Sequence, residues 1–149
     1  MDRIERVKSA EDIEKITKVI NLSFQTVAEE YGFSKQNAPT FPAYIKPEII
    51  ENTFAGSAGI SDSKDKTTFK IERLAVLPEY RHYGIGKKLM DFAYSEIVRN
   101  SGKIAQVEIV NENTKLKSWY ESIGFYEIRI DIYGHLPFTV CVLNKDLEK

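Results

Sequence analysis

The sequence predicts an α/β fold in which helices flank a mixed central sheet. Segments rich in β-branched residues, such as 104–110, alternate along the chain with segments whose apolar residues recur every three or four positions. The last two strand-like segments, 125–133 and 138–147, are joined by a short turn, which favours an antiparallel hairpin. With 149 residues, 42% of them hydrophobic and 29% charged, the chain suits one soluble domain over residues 1–149.

The N-terminal segment predicts one short strand and one long helix. Residues 3–7 alternate between polar and apolar side chains, as a strand does. Ser9 or Asp12 can cap the helix that follows, and Gly32 is its expected end. Apolar side chains spaced three or four positions apart form one face of this helix, namely Ile13, Ile16, Ile20 and Phe24.

The next segments carry weaker patterns. Pro39 and Pro42 indicate a loop, because proline does not continue a helix. Residues 46–54 then predict a short helix with Pro47 in its first turn. Residues 55–66 favour one short strand that ends in a polar turn.

The following strand and helix are the most clearly patterned in the chain. Residues 68–76 predict a strand, which Pro78 ends. An amphipathic helix of about three turns is expected after Gly86, with Gly102 as its C-terminal stop.

The last helix lies between two strands. Residues 104–110 are rich in β-branched side chains and predict a strand. Asn113 or Thr114 can cap the helix that comes next, and Gly124 stops it.

Composition excludes several classes of function. The net charge is −1, from 21 basic and 22 acidic residues, so nothing favours nucleic acid or an anionic membrane as partner. The single cysteine, Cys141, excludes an internal disulfide and a multi-cysteine zinc site, and we predict no metal site. The charged N-terminal segment does not have the pattern of a signal peptide, and no apolar run is long enough to cross a bilayer. A cytoplasmic protein is therefore expected.

The stretch "RHYGIGKK", residues 81–88, has the composition of an anion site. Glycine at the start of a helix lets backbone amides without intrahelical partners approach a ligand closely, and phosphate is the usual ligand of such a site. Arg81, Lys87 and Lys88 add positive charge. The alternative is a tight turn with no ligand, since many loops carry a Gly-x-Gly pattern, as Gly84 and Gly86 form here, for that reason alone.

Two common nucleotide motifs do not fit this stretch. The dinucleotide fingerprint requires a third glycine where Leu89 stands. The P-loop requires serine or threonine where Lys88 stands, and a first glycine where Arg81 stands.

The pattern R/Q-x-x-G-x-G/A of residues 81–86 resembles the signature of the GNAT family of N-acetyltransferases. The resemblance extends over residues 70–127, through the next strand, Asn113 and a helix that carries Tyr120 and ends in Gly-Phe. It implies a GNAT-like, largely antiparallel sheet and transfer of an acetyl group from acetyl-CoA to a primary amine. The acceptor, a small molecule or a peptide, stays open, and a homodimer is compatible with the family.

The resemblance also implies how the donor is held. The pyrophosphate of CoA is expected over the loop and the helix mouth, and the pantetheine arm along the edge of the central strand, as an added strand would lie. In this family the central strand carries a bulge that parts it from its neighbour. Asn113 is expected to contact the CoA arm or to act as a helix N-cap. The other cofactor-binding residues implied are Leu74, Ala75, Val76, Arg81, His82, Tyr83, Gly84, Ile85, Gly86 and Lys87.

One catalytic residue, Tyr120, is carried over from the same resemblance, and a second, Glu72, is suggested by its place two residues after Lys70 on the same strand face. Tyr120 follows Asn113 by seven positions, as the family's acid does, although it also lies on an apolar helix face and fits a core position. Lys70 occupies the place where many members have a glutamate, so Glu72 is the candidate base, acting through a water. The alternatives for Glu72 are a solvated carboxylate and an ion pair with Arg73 or Lys70.

Other polar residues are less strongly indicated as catalytic or substrate-binding residues. His135, in the loop between the last strands, is a second candidate base or pocket residue. Glu29, Glu30 and Tyr31 can read a cationic amine or form an exposed helix face. Loss of the usual glutamate leaves a non-catalytic acyl-CoA-binding module as an alternative function. A nucleotide-binding or purely structural α/β domain is the third hypothesis.

Overall fold

The computed structural model describes residues 9–44, 59–62 and 66–147. The strand predicted over 3–7 and the helix predicted over 46–54 lie outside these ranges. The elements, in chain order, are α1 (Ala10–Tyr31), a 3-10 turn (Pro42–Tyr44), β1 (Gly59–Asp62), β2 (Thr68–Glu72), a second 3-10 turn (Pro78–Tyr80), α2 (Ile85–Arg99), β3 (Ile104–Val110), α3 (Thr114–Ser122), β4 (Tyr126–Ile132) and β5 (Thr139–Asp146).

The long helix α1 has both of its predicted ends. The hydroxyl of Ser9 accepts a hydrogen bond from the Asp12 amide at 3.1 Å, which makes Ser9 the N-cap. Gly32 ends the helix with φ 72°, a left-handed conformation that favours glycine. No helix within the described ranges is long and apolar enough to cross a membrane.

The sheet is mixed and largely antiparallel, as predicted. Its described strands lie in the order β1-β2-β3-β5-β4, and among them only the β2–β3 pair is parallel. The predicted hairpin of β4 and β5 is present, with a bulge between Glu127 and Arg129. β1 confirms the single short strand expected within residues 55–66.

The two central strands diverge. Parallel pairing of β2 with β3 ends at Lys70 opposite Gln106, whereas β3 stays paired with β5 up to Val110. The prediction that the β2 strand continues to residue 76 was wrong: it ends at Glu72, because Arg73 has φ 56° and turns the backbone out of the strand direction. An opening is left between residues 73–77 and the second half of β3.

Side-chain packing fills both faces of the sheet. Ala105, Val107 and Ile109 of β3 face α2 and α3, where they pack with Met90 and Tyr120. The opposite face carries an aromatic cluster next to α1, formed by Phe24, Phe33, Phe41 and Phe138. The two helical layers thereby fix the positions of the divergent strand ends.

The end of α2 corrects one expectation. The predicted stop, Gly102, is not the left-handed residue; Ser101 has φ 66° instead, and Asn100 caps the helix. Glycine at 102 is required for space, since a Cβ there would lie 2.3 Å from Ile97 Cγ2 and 2.6 Å from Phe69 Cδ2. The absence of a side chain at position 102 therefore lets the backbone after α2 pack directly against Phe69 of β2.

Candidate active site

A cavity of about 820 Å³ occupies the opening between the diverging strands. Its walls come from the second half of α1, the segment after β2, the loop before α2, the end of β3, α3 and the β4–β5 loop. Every residue predicted to be catalytic or to bind the cofactor lines it except Tyr83, which is 77% exposed. The fold therefore gathers residues from positions 72 to 120 around one space.

The segment after β2 presents unpaired backbone to this cavity. Within the described residues, the amides and carbonyls of Leu74 and Ala75 have no hydrogen-bond partner. Ala75 is 3% exposed, and both residues line the cavity. Buried backbone groups are nearly always paired, so this edge is suited to a ligand that supplies amide-like partners.

The loop before α2 turns the chain so that the helix begins at the cavity. His82 and Gly84 have φ 69° and 80°, and Gly84 caps the helix, its carbonyl accepting from the Lys88 amide at 3.1 Å. Residues 85–87 form the first turn, and their amides have no intrahelical partner. All three of these residues line the cavity, which places the positive end of the helix dipole there.

The mouth of α2 faces α3 at Gly86, where a Cβ would make only ordinary van der Waals contacts. A Cβ at position 86 would lie 3.5 Å from the Trp119 ring and 3.9 Å from Val76. Lys87, also at this mouth, forms an exposed ion pair with Asp91 at 3.2 Å. The ammonium of Lys87 is thus held on the first turns of α2, beside the cavity.

The side chain of Arg81 is hydrogen-bonded within the protein. Its charge was expected to meet a phosphate, but its guanidinium donates to the Val76 carbonyl at 3.0 Å, the Thr26 hydroxyl at 3.3 Å and the Ser23 carbonyl at 2.8 Å. These bonds tie the loop to α1 and to the segment after β2. No local pattern indicates them, because the partners are up to 58 positions away.

Tyr120 lies at the inner end of the cavity. It is 5% exposed, and its ring packs edge-on against Trp119 and Phe125, with centroids 4.9 Å and 5.3 Å away. Burial raises the pKa of the Tyr120 phenol, and the nearby Tyr94 adds to the shift. The hydroxyl therefore stays protonated at neutral pH, as a proton donor must.

Two carboxylates and two cations line the floor of the cavity. Glu72 pairs with Arg73 at 3.2 Å and lies 3.9 Å from Lys70, so its carboxylate is in the ion pair weighed as an alternative. Lys70 also binds Glu108 of β3 at 3.0 Å. Sequence reasoning missed Glu108. Its only signal was its position on the face of β3 opposite the apolar residues 105, 107 and 109.

Asn113 is the N-cap of α3, one of the two roles considered for it, and its contact with the CoA arm stays a prediction. Its Oδ1 accepts from the Leu116 amide at 3.2 Å, so it caps α3, and the residue also lines the cavity. His135 and Glu30 line the cavity as well. Glu29 and Tyr31 do not, and the Tyr31 hydroxyl donates to the Glu112 carbonyl at 3.2 Å.

Cys141 lies on β5 outside the cavity lining. It is fully buried, as expected for a small apolar residue, and its thiol donates to Glu127 at 3.3 Å. Burial, aided by Glu127, raises the pKa of the Cys141 thiol from 9.0 to about 11. Lys117 pairs with the same Glu127 carboxylate and lowers its pKa.

No group of three or more histidine, cysteine or acidic side chains within the described ranges is arranged to hold a metal ion.

The diverging central strands, the glycine loop and the cavity between them agree with the GNAT-like fold expected from the sequence. A profile of the acetyltransferase (GNAT) domain matches residues 40–127, which is more than half of the chain. The chain belongs to the GNAT family of acetyltransferases. A comparison with curated proteins gave no match.

Solved structures share this fold. yncA from Salmonella typhimurium, solved with its cofactor acetyl-CoA, has a TM-score of 0.64 at 14% identity, over 99% of this chain and 96% of that one. The ribosomal-protein-S18-alanine N-acetyltransferase from Escherichia coli has a TM-score of 0.68 at 15% identity, over 100% and 96%.

A third solved structure is similar over part of its length. Nourseothricin acetyltransferase has a TM-score of 0.57 at 21% identity, over 61% of this chain. The chain spans only 56% of that relative. At these identities the three likenesses establish the fold.

Proposed function

We propose that the protein is an N-acetyltransferase that moves the acetyl group of acetyl-CoA to a primary amine, by direct attack of the amine on the thioester. The observation that carries the proposal is the shared cavity. It joins the unpaired backbone of Leu74 and Ala75, the mouth of α2 and the buried Tyr120. Each part matches one part of the donor: the pantetheine amides, the pyrophosphate and the departing thiolate.

The donor is oriented by backbone more than by side chains. The pyrophosphate lies over the amides of residues 81–86, where the helix dipole favours negative charge. Lys87 adds a flexible cation at the mouth of α2, whereas the Arg81 guanidinium is engaged with α1. The pantetheine amides bond to the edge at residues 74–76 as an added strand would. The yncA structure with acetyl-CoA, which has the same fold, supports this assignment.

The reaction needs three proton transfers: two from the ammonium nitrogen and one to the departing thiolate. An alkylammonium has a pKa of about 10.4, so a base must deprotonate it before its nitrogen can attack the acetyl carbon. One proton leaves the ammonium through water to a carboxylate, which releases it to solvent. The C–N bond then forms, the C–S bond breaks, and the second proton leaves the nitrogen by the same route. Tyr120 protonates the departing thiolate, the neutral thiol of CoA leaves, and the Tyr120 phenolate regains its proton from the carboxylate through water.

Glu72 is the proposed base, acting through a water. Glu108 is a matched comparison, because it lines the same cavity and shares the Lys70 ammonium. Glu72→Gln is expected to lower kcat/KM about 10²-fold, a typical effect of losing a general base. Glu108→Gln is expected to change it less. If Glu108→Gln lowered kcat/KM more than Glu72→Gln, the base would be Glu108 of β3 instead.

Donor binding is tested separately by thermal stability. Acetyl-CoA should raise the melting temperature, because a ligand at a hundredfold excess over Kd stabilises the folded state by about 2.7 kcal/mol. ATP and NAD serve as controls and should have little effect. A shift with ATP or NAD and none with acetyl-CoA would contradict the proposed donor.

A further inference from the structure

One end of the cavity is not assigned to the donor. Acetyl-CoA is placed on residues 74–76, at the mouth of α2 and beside Tyr120. At the other end, the described lining comes from the second half of α1, from residues 40–42 and from residues 133–140, which lead into β5. This end is the space left for the acceptor, so its side chains determine which amine fits.

Three phenylalanines from three separate segments form one wall of this end. They are Phe24 of α1, Phe41 before the first 3-10 turn and Phe138 before β5, and all three line the cavity. The rings of Phe24 and Phe41 meet edge-on with centroids 5.7 Å apart, and those of Phe41 and Phe138 are 6.1 Å apart. These three residues are the aromatic wall.

The aromatic wall is supported from behind by Phe33. This residue is 7% exposed and does not belong to the cavity lining, and its ring centroid lies 5.1 Å from that of Phe41 and 4.8 Å from that of Phe138. The Phe33 carbonyl accepts a hydrogen bond from the Tyr44 hydroxyl at 3.0 Å. Because the rings are already packed, a flat apolar group can bind the wall with little loss of side-chain entropy.

Val110 connects the aromatic wall to the diverging strands. It is the last residue of β3, it belongs to the same apolar cluster as Phe41 and Phe138, and it lines the cavity. The thioester is expected in the opening between residues 73–77 and the second half of β3. The apolar body of an acceptor can therefore lie on the wall while its amino group reaches the thioester.

The carboxylates around the cavity indicate how many charges the acceptor carries. Three line it: Glu30, Glu72 and Glu108. Glu72 and Glu108 are balanced by the two cations of the cavity floor. Glu30 is exposed near the end of α1 and forms no ion pair with another described residue. One unpaired negative charge suits one ammonium. A second ammonium against the aromatic wall would lose hydration with no carboxylate to replace it.

The described backbone at this end favours a small molecule over a peptide. β3 is paired with β5 up to Val110, and the Asn111 amide donates to the Thr139 carbonyl at 2.9 Å. The unpaired edge at Leu74 and Ala75 is assigned to the pantetheine arm. Within the described ranges, an extended peptide therefore finds no further strand edge beside the aromatic wall with which to pair.

We propose that the acceptor is a small primary arylalkylamine, with one aromatic ring on a short alkyl chain and a single amino group. Its ring packs against Phe24, Phe41 and Phe138, and these residues determine specificity. The inference rests on the proposed function, which supplies the reaction: the acetyl C–N bond forms, the C–S bond breaks, and acetyl-CoA is the only co-substrate.

Release of CoA thiol from acetyl-CoA with a set of matched amines tests the proposal. Phenethylamine should have a kcat/KM about 10- to 100-fold above that of n-butylamine, because burial of a phenyl group is worth about that factor. Phenethylamine that carries an aminomethyl group on its ring adds one positive charge to the same body, and its kcat/KM should be lower by about tenfold or more. Spermidine and the peptide Phe-Gly-Gly should also be poorer acceptors.

Variants of the aromatic wall assign the preference to its residues. Phe24→Leu and Phe138→Leu keep an apolar side chain and should raise the KM for phenethylamine by roughly tenfold, with little change in the KM for n-butylamine or acetyl-CoA. Phe69→Leu is the matched control, since Phe69 is also half-buried but lies on β2 outside the cavity lining, and it should leave the preference unchanged. Circular dichroism establishes that each variant is folded, and the wild-type panel decides the proposal for any variant that is not.

The outcomes separate this inference from the proposed function. Equal kcat/KM for phenethylamine and n-butylamine, or a higher value for the ring-substituted diamine, spermidine or the peptide, would overturn the inference and leave acetyl transfer in place. Calorimetric titration of phenethylamine into the protein–CoA complex reports on the wall without turnover. Binding with no turnover would support the aromatic pocket and contradict acetyl transfer, whereas neither binding nor turnover with any amine would contradict both.

Discussion

The guanidinium of Arg81 donates a 2.8 Å hydrogen bond to the main-chain carbonyl of Ser23, 58 positions earlier in the chain. The same group binds the Thr26 hydroxyl and the Val76 carbonyl. One side chain therefore connects α1, the backbone after β2 and the loop before α2. The shape of the cavity depends on this connection, since all three segments line it.

Arg81→Lys should destabilise the fold and leave the local charge in place. Lysine cannot reproduce the planar fork of donors, so we expect a loss of about 2–3 kcal/mol in the free energy of unfolding, measured with urea. Arg99→Lys, at an ion pair whose arginine is 65% exposed, is the control and should cost less than about 1 kcal/mol. If Arg81→Lys kept full stability but lost affinity for acetyl-CoA, the arginine would contact the donor instead.

Alanine substitutions at two glycines, Gly84 and Gly32, distinguish the effect of backbone strain on stability from the effect on ligand binding. Gly84 and Gly32 have φ 80° and 72°, and a Cβ added at either position would meet no atom within 4 Å. Alanine at either position should cost about 1–2 kcal/mol of stability, because the left-handed region disfavours a Cβ. Only Gly84→Ala should also weaken acetyl-CoA binding, by about tenfold, since its methyl group lies where backbone approaches phosphate. Calorimetric titration checks both; equal affinities in the two variants would contradict a phosphate site at this loop.

Tyr120→Phe should slow catalysis without loss of donor binding. Removal of the acid is expected to lower kcat roughly 10²-fold. The matched control is Tyr94→Phe on α2, whose hydroxyl is buried without a hydrogen-bond partner among the described residues and does not line the cavity. Steady-state kinetics should show nearly normal kcat for the control. Equal kcat values in the two variants would assign Tyr120 to the core alone.

The buried thiol of Cys141 predicts a loss of stability in alkali. The pKa of the folded-state thiol is raised to about 11 from 9.0. Below pH 9 both states hold the proton; between the two values only the unfolded state loses it, so the free energy of unfolding falls as pH rises. The contribution is on the order of 3 kcal/mol.

The variant Cys141→Ala isolates this effect from the tyrosines that titrate in the same range. Urea unfolding should show a shallower decline of stability with alkaline pH in the variant than in the wild type. The native thiol should also be unreactive toward thiol reagents at neutral pH, because it is buried and protonated. Identical pH slopes for the two proteins would show that Cys141 does not contribute.

Local patterns were enough to predict most of the fold. The ends of α1 follow from single residues. The side-chain oxygen of Ser9 forms the N-cap, and Gly32 ends the helix because glycine readily adopts a positive φ. The end of β2 does not, because the left-handed Arg73 has no residue signal and its conformation depends on packing across the sheet. Ser101 rather than Gly102 adopts the left-handed turn for a similar reason: Gly102 is restricted by Phe69, a residue distant in sequence.

The positions of the glycine loop, Asn113 and Tyr120 in the site could be predicted from the sequence, whereas the ion pairs of its charged side chains could not. The glycine loop, Asn113 and Tyr120 have fixed spacings, and the fold brings them to one cavity. The ion pairs that join Lys70 to Glu72 and Glu108 depend on strand register, which short-range pattern does not specify. The same holds for the reach of Arg81 to α1.

The central claim is that this cavity transfers an acetyl group from acetyl-CoA to an amine. Release of CoA thiol from acetyl-CoA, followed over a panel of primary amines and peptides, tests it most directly, with mass spectrometry of the acceptor to detect the added acetyl group. The account predicts thiol release that depends on one acceptor class, an acetylated amine in equal amount, and a large loss of both in Tyr120→Phe. Binding of acetyl-CoA with no turnover for any amine in the panel would contradict it and would favour a non-catalytic acyl-CoA-binding module.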